Sequence, residues 1–153
     1  MSAPRSLLEP ARYLSRAEAE ALAKRVLALA TADATRVTLQ GGSRGNTRFA
    51  LNQISTAGDD FNTTVTVRSL FGKRSANVTT NKLDEAGLRY AVETSERLAR
   101  LAPEDPEEMG ELDPQQYAES RSWSDATASL DPTARAAAVR AITQATSAAG
   151  LHG

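Results

Sequence analysis

The chain has no cysteine and a single histidine, His152, among its 153 residues. Without cysteine there are no disulfides, no thiolate nucleophiles and no cysteine-ligated zinc or iron–sulfur centres, which agrees with a reducing compartment. One histidine near the end of the sequence, where fraying is expected, does not supply the converging ligands and base of a zinc hydrolase. Serines are numerous, but none has a recognisable partner base, so nucleophilic catalysis has no visible set either. Long apolar runs are also missing. The richest, Ala21–Ala32, is broken by Lys24 and Arg25, and no membrane span is expected. The start, Met1–Arg12, lacks the apolar core of a secretory signal, so the expected location is cytoplasmic. Aromatic residues make up only 5%, too few for a stacking platform of the kind that binds single-stranded nucleic acid.

What remains is the composition of a soluble folding domain, with 41% hydrophobic and 24% charged residues. The net charge of −1 conceals an asymmetry. Residues 1–102 hold 15 Lys/Arg against 10 Asp/Glu, whereas residues 103–153 hold 3 against 9. The boundaries that follow are a core over 1–102, an acidic, proline-containing linker over 103–130, and a carboxy-terminal helix over 131–153.

Periodicity fills in the core. Ser15 and Glu18 have capping-box spacing, and Leu22, Val26, Leu29 and Ala30 share a helical face, which predicts a helix over 16–31. From Thr35 the period becomes two: Val37 and Leu39 alternate with polar residues until Gly41-Gly42, which reads as a hairpin loop running to Asn46. A second strand carries Phe49 and Leu51, with a bulge near Asn52-Gln53, and Ala57-Gly58-Asp59-Asp60 reads as the next turn. Val65 and Val67 mark a third strand, and Phe71-Gly72-Lys73-Arg74 a tight turn into a fourth, Ser75–Thr80. Asp84 is an N-cap for a helix with Leu88, Ala91, Val92, Ser95, Leu98 and Ala99 on one face, weakened slightly by Gly87. Asp131-Pro132 opens a last helix that closes at Gly150. The expected fold is α+β: a four-stranded antiparallel sheet with helices on one face, in the order α-β-β-β-β-α-α.

Three features invite a functional reading. Gly41–Asn46 could ring an anion with amides, but it fits neither the dinucleotide fingerprint nor the Walker pattern. Tyr117 and Trp123 read as anchors of the linker to the core. Strand parity places Arg36, Thr38, Arg48, Thr64, Thr66, Arg68, Asn77 and Thr79 opposite the aliphatic core. That basic, hydroxyl-rich face is either plain solvent face, a phosphate-binding surface, or a surface covered by another polypeptide.

Several stretches resemble the first domain of the TldD/PmbA metallopeptidases. They are Ala19–Leu29, Gly45-Asn46-Thr47-Arg48-Phe49-Ala50-Leu51-Asn52-Gln53-Ile54-Ser55, Val65–Phe71, Thr80–Asp84 and Leu101–Pro106, within residues 15–120. The resemblance implies a bacterial or archaeal protein of the type called DNA gyrase modulator, acting on unfolded or peptide-like substrates through paired subunits. One of those subunits holds zinc in a His-Glu-x-x-x-His motif, which this sequence lacks. The chain is therefore expected to be a non-catalytic amino-terminal domain of a longer family protein, with no cofactor of its own, zinc belonging to the catalytic subunit. Its expected partners are the missing carboxy-terminal part or a partner subunit, and a peptide substrate. Asn46, Arg48, Asn52, Arg36 and Arg68 are the candidate contacts. The alternative is a free-standing module that binds nucleic acid or another anion on the arginine and threonine face.

Overall fold

The computed structural model describes residues 13–153; the expectation about Met1–Arg12 lies outside the described residues. The elements are α1 (Arg16–Leu27), β1 (Ala34–Ala50), β2 (Gln53–Phe71), β3 (Arg74–Thr80), α2 (Glu85–Leu101), a short α3 (Asp125–Ala128) and α4 (Pro132–Ala148). Their sheet has three strands in the order β1-β2-β3, not the four that the sequence predicts. The fold is α+β, but the order is α-β-β-β-α-α-α.

The difference has a local cause. Gly41–Gly45 and Ala57–Asp60 do not turn; they are strand, so that two predicted strands merge into the 17 residues of β1. Glycine tolerates extended backbone as readily as a turn. The reversal happens instead at Leu51 and Asn52, with φ of 53° and 60°, where the sequence predicts a bulge. Two consecutive left-handed residues make the hairpin turn whose twist matches that of the flanking strands. Because Gly41–Asn46 is extended, its amides alternate in direction and do not converge on an anion.

Two compact units result, and β1 and β2 contribute residues to both. The first comprises the described residues up to Gly42 together with Asn62–Gln115. Its core joins Leu22 and Val26 of α1, Val65 and Val67 of β2, and Leu88, Ala91 and Val92 of α2, with Val37, Leu39 and Val78 packed against them. Each large aliphatic side chain taken fully out of water contributes about 1.5–3 kcal/mol before entropy is counted. Between β2 and α2 lies a buried polar pair: Ser69 and Ser95 hydroxyls meet at 2.7 Å. The Ser95 hydroxyl donates to the Val92 carbonyl at 2.8 Å, so the Ser69 hydroxyl is the donor between them.

Caps set the helix starts as the sequence predicts. Ser15 and Glu18 form the reciprocal box, and the Asp84 carboxylate accepts from the Gly87 amide at 2.7 Å. The end of α1 comes earlier than 31. Glu96, 6% exposed on α2, accepts from the Thr31 amide at 2.5 Å, the Thr31 hydroxyl at 2.6 Å and the Ala32 amide at 3.1 Å. Amides spent on that carboxylate are not available to extend the helix. Gly87 has a definite role rather than a mild cost: a Cβ there would sit 2.5 Å from Lys82 Cβ and 2.6 Å from the Lys82 carbonyl oxygen. Leu98, expected on the buried face, is 43% exposed.

The second unit comprises Ser43–Phe61 and Gln116–Gly153. Asp131 caps α4 by accepting from the Ala134 amide at 2.7 Å, and Gly150 closes it with φ of +69°. Arg135 of α4 pairs with Asp59 at 2.5 Å and donates to Thr47 Oγ1 at 3.4 Å, its guanidinium filling the space that a side chain on Gly45 would need. Tyr117 and Trp123 are 87% and 62% exposed, so neither anchors this segment by burial as the sequence suggested. The Trp123 indole N–H instead donates to Asp125 at 2.8 Å, at the start of α3.

Candidate interface on the polar sheet face

Antiparallel pairing of β2 with β3 sets Thr66 opposite Thr79 and Arg68 opposite Asn77, while Val67 opposes Val78. Alternation then puts Val65 and Val67 on one face and Thr66 and Arg68 on the other, as the parity of the sequence predicts, with the buried Leu70 sharing the parity of Arg68. On the polar side the Thr66 and Thr79 hydroxyls meet at 2.8 Å. Neither Asp nor Glu occurs between Ala34 and Gly42 or between Asn62 and Thr80, so the strand positions of the first unit hold no carboxylate.

The carboxylates come from the segment after α2. Glu111 accepts from Arg36 Nε at 2.8 Å and Nη2 at 2.9 Å, a two-pronged pairing, and from Arg68 Nη1 at 2.8 Å. Arg68 Nη2 pairs with Glu108 and also donates to Ser75 Oγ at 3.2 Å. Its side chain is 17% exposed, and that of Glu108 10%. Glu104 pairs with Arg74 at 3.3 Å. The Asp105 amide donates to the Lys73 carbonyl at 2.9 Å, and Lys73 Nζ donates to the Pro106 carbonyl at 3.1 Å. Gly110, with φ of +79°, turns the chain between the two glutamates. Residues 104–111 are therefore a strap tied to the sheet, where the sequence predicts a solvated linker. The hydrogen bond from Arg36 is the main reason that Glu111 titrates below the ordinary carboxylate value, offsetting the desolvation that pushes the other way. Arg36 is held above its usual value by the same bond.

Of the five candidate contacts, Arg36 and Arg68 are thus brought together through Glu111. Asn46, Arg48 and Asn52 belong to the second unit. Asn46 and Arg48 are exposed, and among the described residues neither side chain makes a hydrogen bond or ion pair. Asn52 is committed within its unit: its Oδ1 accepts from Thr146 Oγ1 at 2.7 Å and the Gly153 amide at 2.9 Å, and its Nδ2 donates to the Leu151 carbonyl at 2.9 Å. Those bonds also hold the tail, which the sequence leaves to fray. Glu108 and Glu111 are the residues that sequence reasoning missed. The signal was the charge asymmetry between the two parts of the chain, which names no pairs.

Against known proteins, residues 36–99 match the family described as PmbA/TldA metallopeptidase domain 1. This segment is similar to a TldD/PmbA-family first domain. The fold agrees: a crystal structure of TldE from Thermococcus kodakarensis matches with a TM-score of 0.56 and 20% sequence identity. The likeness covers 67% of this chain and 23% of that one, so this chain spans less than a quarter of the matched protein. A comparison with curated proteins finds no match. Zinc, which the family implies, does not fit the described residues. His152 is exposed beyond α4, and among the described residues no three His, Asp or Glu side chains are grouped to hold a metal ion. Nor is any described helix long and apolar enough to cross a membrane.

Proposed function

We propose that this chain is the non-catalytic amino-terminal domain of a TldD/PmbA-type zinc metallopeptidase acting on unfolded or peptide-like substrates, and that it contributes substrate-binding or subunit-interface surface. The observation that carries this reading is the match of residues 36–99 to a metallopeptidase first domain. A cytoplasmic location and a role of the gyrase-modulator type belong to the same proposal. Within it, Asn46 and Arg48 are the residues available for a contact in trans, because they are exposed and uncommitted among the described residues. The nucleic-acid alternative is weakened by the ion pairs of Arg36 and Arg68, since a guanidinium already neutralised by a carboxylate releases few phosphate counterions.

The test is calorimetric titration of this chain with the zinc-bearing remainder of a TldD/PmbA-type metallopeptidase. Wild type should associate, and Arg48→Glu, with unchanged melting, should weaken association by about tenfold or more, as expected for charge reversal at an interface. Absence of association, or equal affinity of the two proteins, refutes the proposal.

A further inference from the structure

The strap over residues 104–111 is tied to the sheet by polar contacts. Its Met109 is 96% exposed and the following Leu112 85% exposed, so neither of these large apolar side chains is anchored in a core. What holds it are the carboxylates of Glu104, Glu108 and Glu111 and two contacts with Lys73. Of these ion pairs, Arg36–Glu111 and Arg74–Glu104 are exposed enough to add little and to weaken as salt rises, whereas Arg68–Glu108 is largely shielded from solvent. The aliphatic core packs on the opposite face, through Val65 and Val67, and does not depend on the strap. Under the strap lie donors that its carboxylates hold: the Arg36 fork and two Arg68 nitrogens. The strand positions supply no carboxylate to quench them.

We infer that this face is a docking site for an acidic, extended peptide segment, and that the strap is its tethered occupant. The ligand chemistry is read from the occupant itself: two carboxylates three residues apart, as in Glu108 and Glu111, with a glycine at positive φ between them. Planar guanidinium forks select such carboxylates geometrically. A ligand in trans must displace the strap, whose effective concentration is high because it is covalently attached. The inference rests on reading the chain as a binding domain. Its readout needs no catalytic partner, so it can fail while association with the metallopeptidase remainder holds, and the reverse.

The experiment follows a fluorescently labelled peptide with the sequence of residues 104–113 as it binds the full chain, by anisotropy. Glu108→Gln with Glu111→Gln should bind the peptide about tenfold or more tightly than wild type does, because the tethered competitor has lost its charge. Higher salt should weaken the binding, and adding Arg68→Glu should abolish it. No binding to the double variant, or equal binding to wild type, overturns the inference. Preference of the double variant for a single-stranded oligonucleotide over the peptide overturns the ligand class. A second measurement uses wild type only: hydrogen exchange at the Asp105 amide should quicken as salt rises, while exchange at Val67 in the core strand stays slow. Equal responses of strap and strand would refute an independently opening strap.

Discussion

Replacing Gly87 by alanine tests the packing argument where sequence and structure give opposite signs. Glycine in a helix costs about 1 kcal/mol relative to alanine, so propensity alone predicts that Gly87→Ala stabilises α2. In the structure the added Cβ would lie 2.5 Å from Lys82 Cβ, 2.6 Å from the Lys82 carbonyl oxygen and 2.9 Å from Asp84 Oδ1. The first two contacts involve the backbone and the root of a side chain, which do not swing away, so the segment before the helix must shift. Overpacking of this kind costs about 1–3 kcal/mol. Moving Asp84 endangers the 2.7 Å cap to the Gly87 amide, and a lost cap costs about 1 kcal/mol more. The net expectation is destabilisation by about 1–3 kcal/mol, the clash and the cap outweighing propensity. At about 2–4 °C per kcal/mol for a chain of this size, melting should fall by about 2–12 °C. Circular dichroism during thermal and urea unfolding measures it. Gly58→Ala is the control, because a Cβ there meets nothing within 4 Å; it should be neutral or slightly stabilising. If Gly87→Ala melts at or above the wild-type temperature, the close pass of Lys82 over the helix start is wrong.

Two other outcomes are expected. Burial of Glu96 favours its neutral form, but bonds from the Thr31 hydroxyl and the Thr31 and Ala32 amides, with Arg100 nearby, outweigh it and hold the pKa below the ordinary carboxylate value. A depressed folded pKa contributes stability above the unfolded pKa of about 4.3 and loses it as pH falls through the folded value; the stability gap between wild type and Glu96→Gln, from urea titrations, should therefore be widest near neutrality and shrink in acid, and a constant gap refutes the assignment. Leu51 holds φ of 53° while 72% exposed, so Leu51→Asn should raise stability by about 0.5–1 kcal/mol, asparagine tolerating that backbone better at little loss of burial; a loss in the same denaturation assay would mean that Leu51 is held by packing.

Much of the framework was legible because its causes are local. Ser15 with Glu18, Asp84, and Asp131 followed by Pro132 announce helix starts through bonds that span three residues. Val65 and Val67 against Thr66 and Arg68 announce the two faces, because parity in a strand needs only neighbours. The turn at Gly72 was legible for the same reason. Tertiary structure decided the rest. Glycines at 41, 42 and 45 permit a turn without requiring one, and pairing across the hairpin chose Leu51 and Asn52 as the reversal, with Asn52 fastened to Thr146, Leu151 and Gly153. The end of α1 was set by Glu96, 65 residues from the Thr31 amide it captures. Likewise the acidic segment read as solvated, because nothing near Glu108 and Glu111 in the chain is basic; their partners Arg68 and Arg36 lie 40 and 75 residues away. Charge composition determined that acids and bases were segregated along this chain, and only the sheet, by holding the arginines in place, decided which of them would meet.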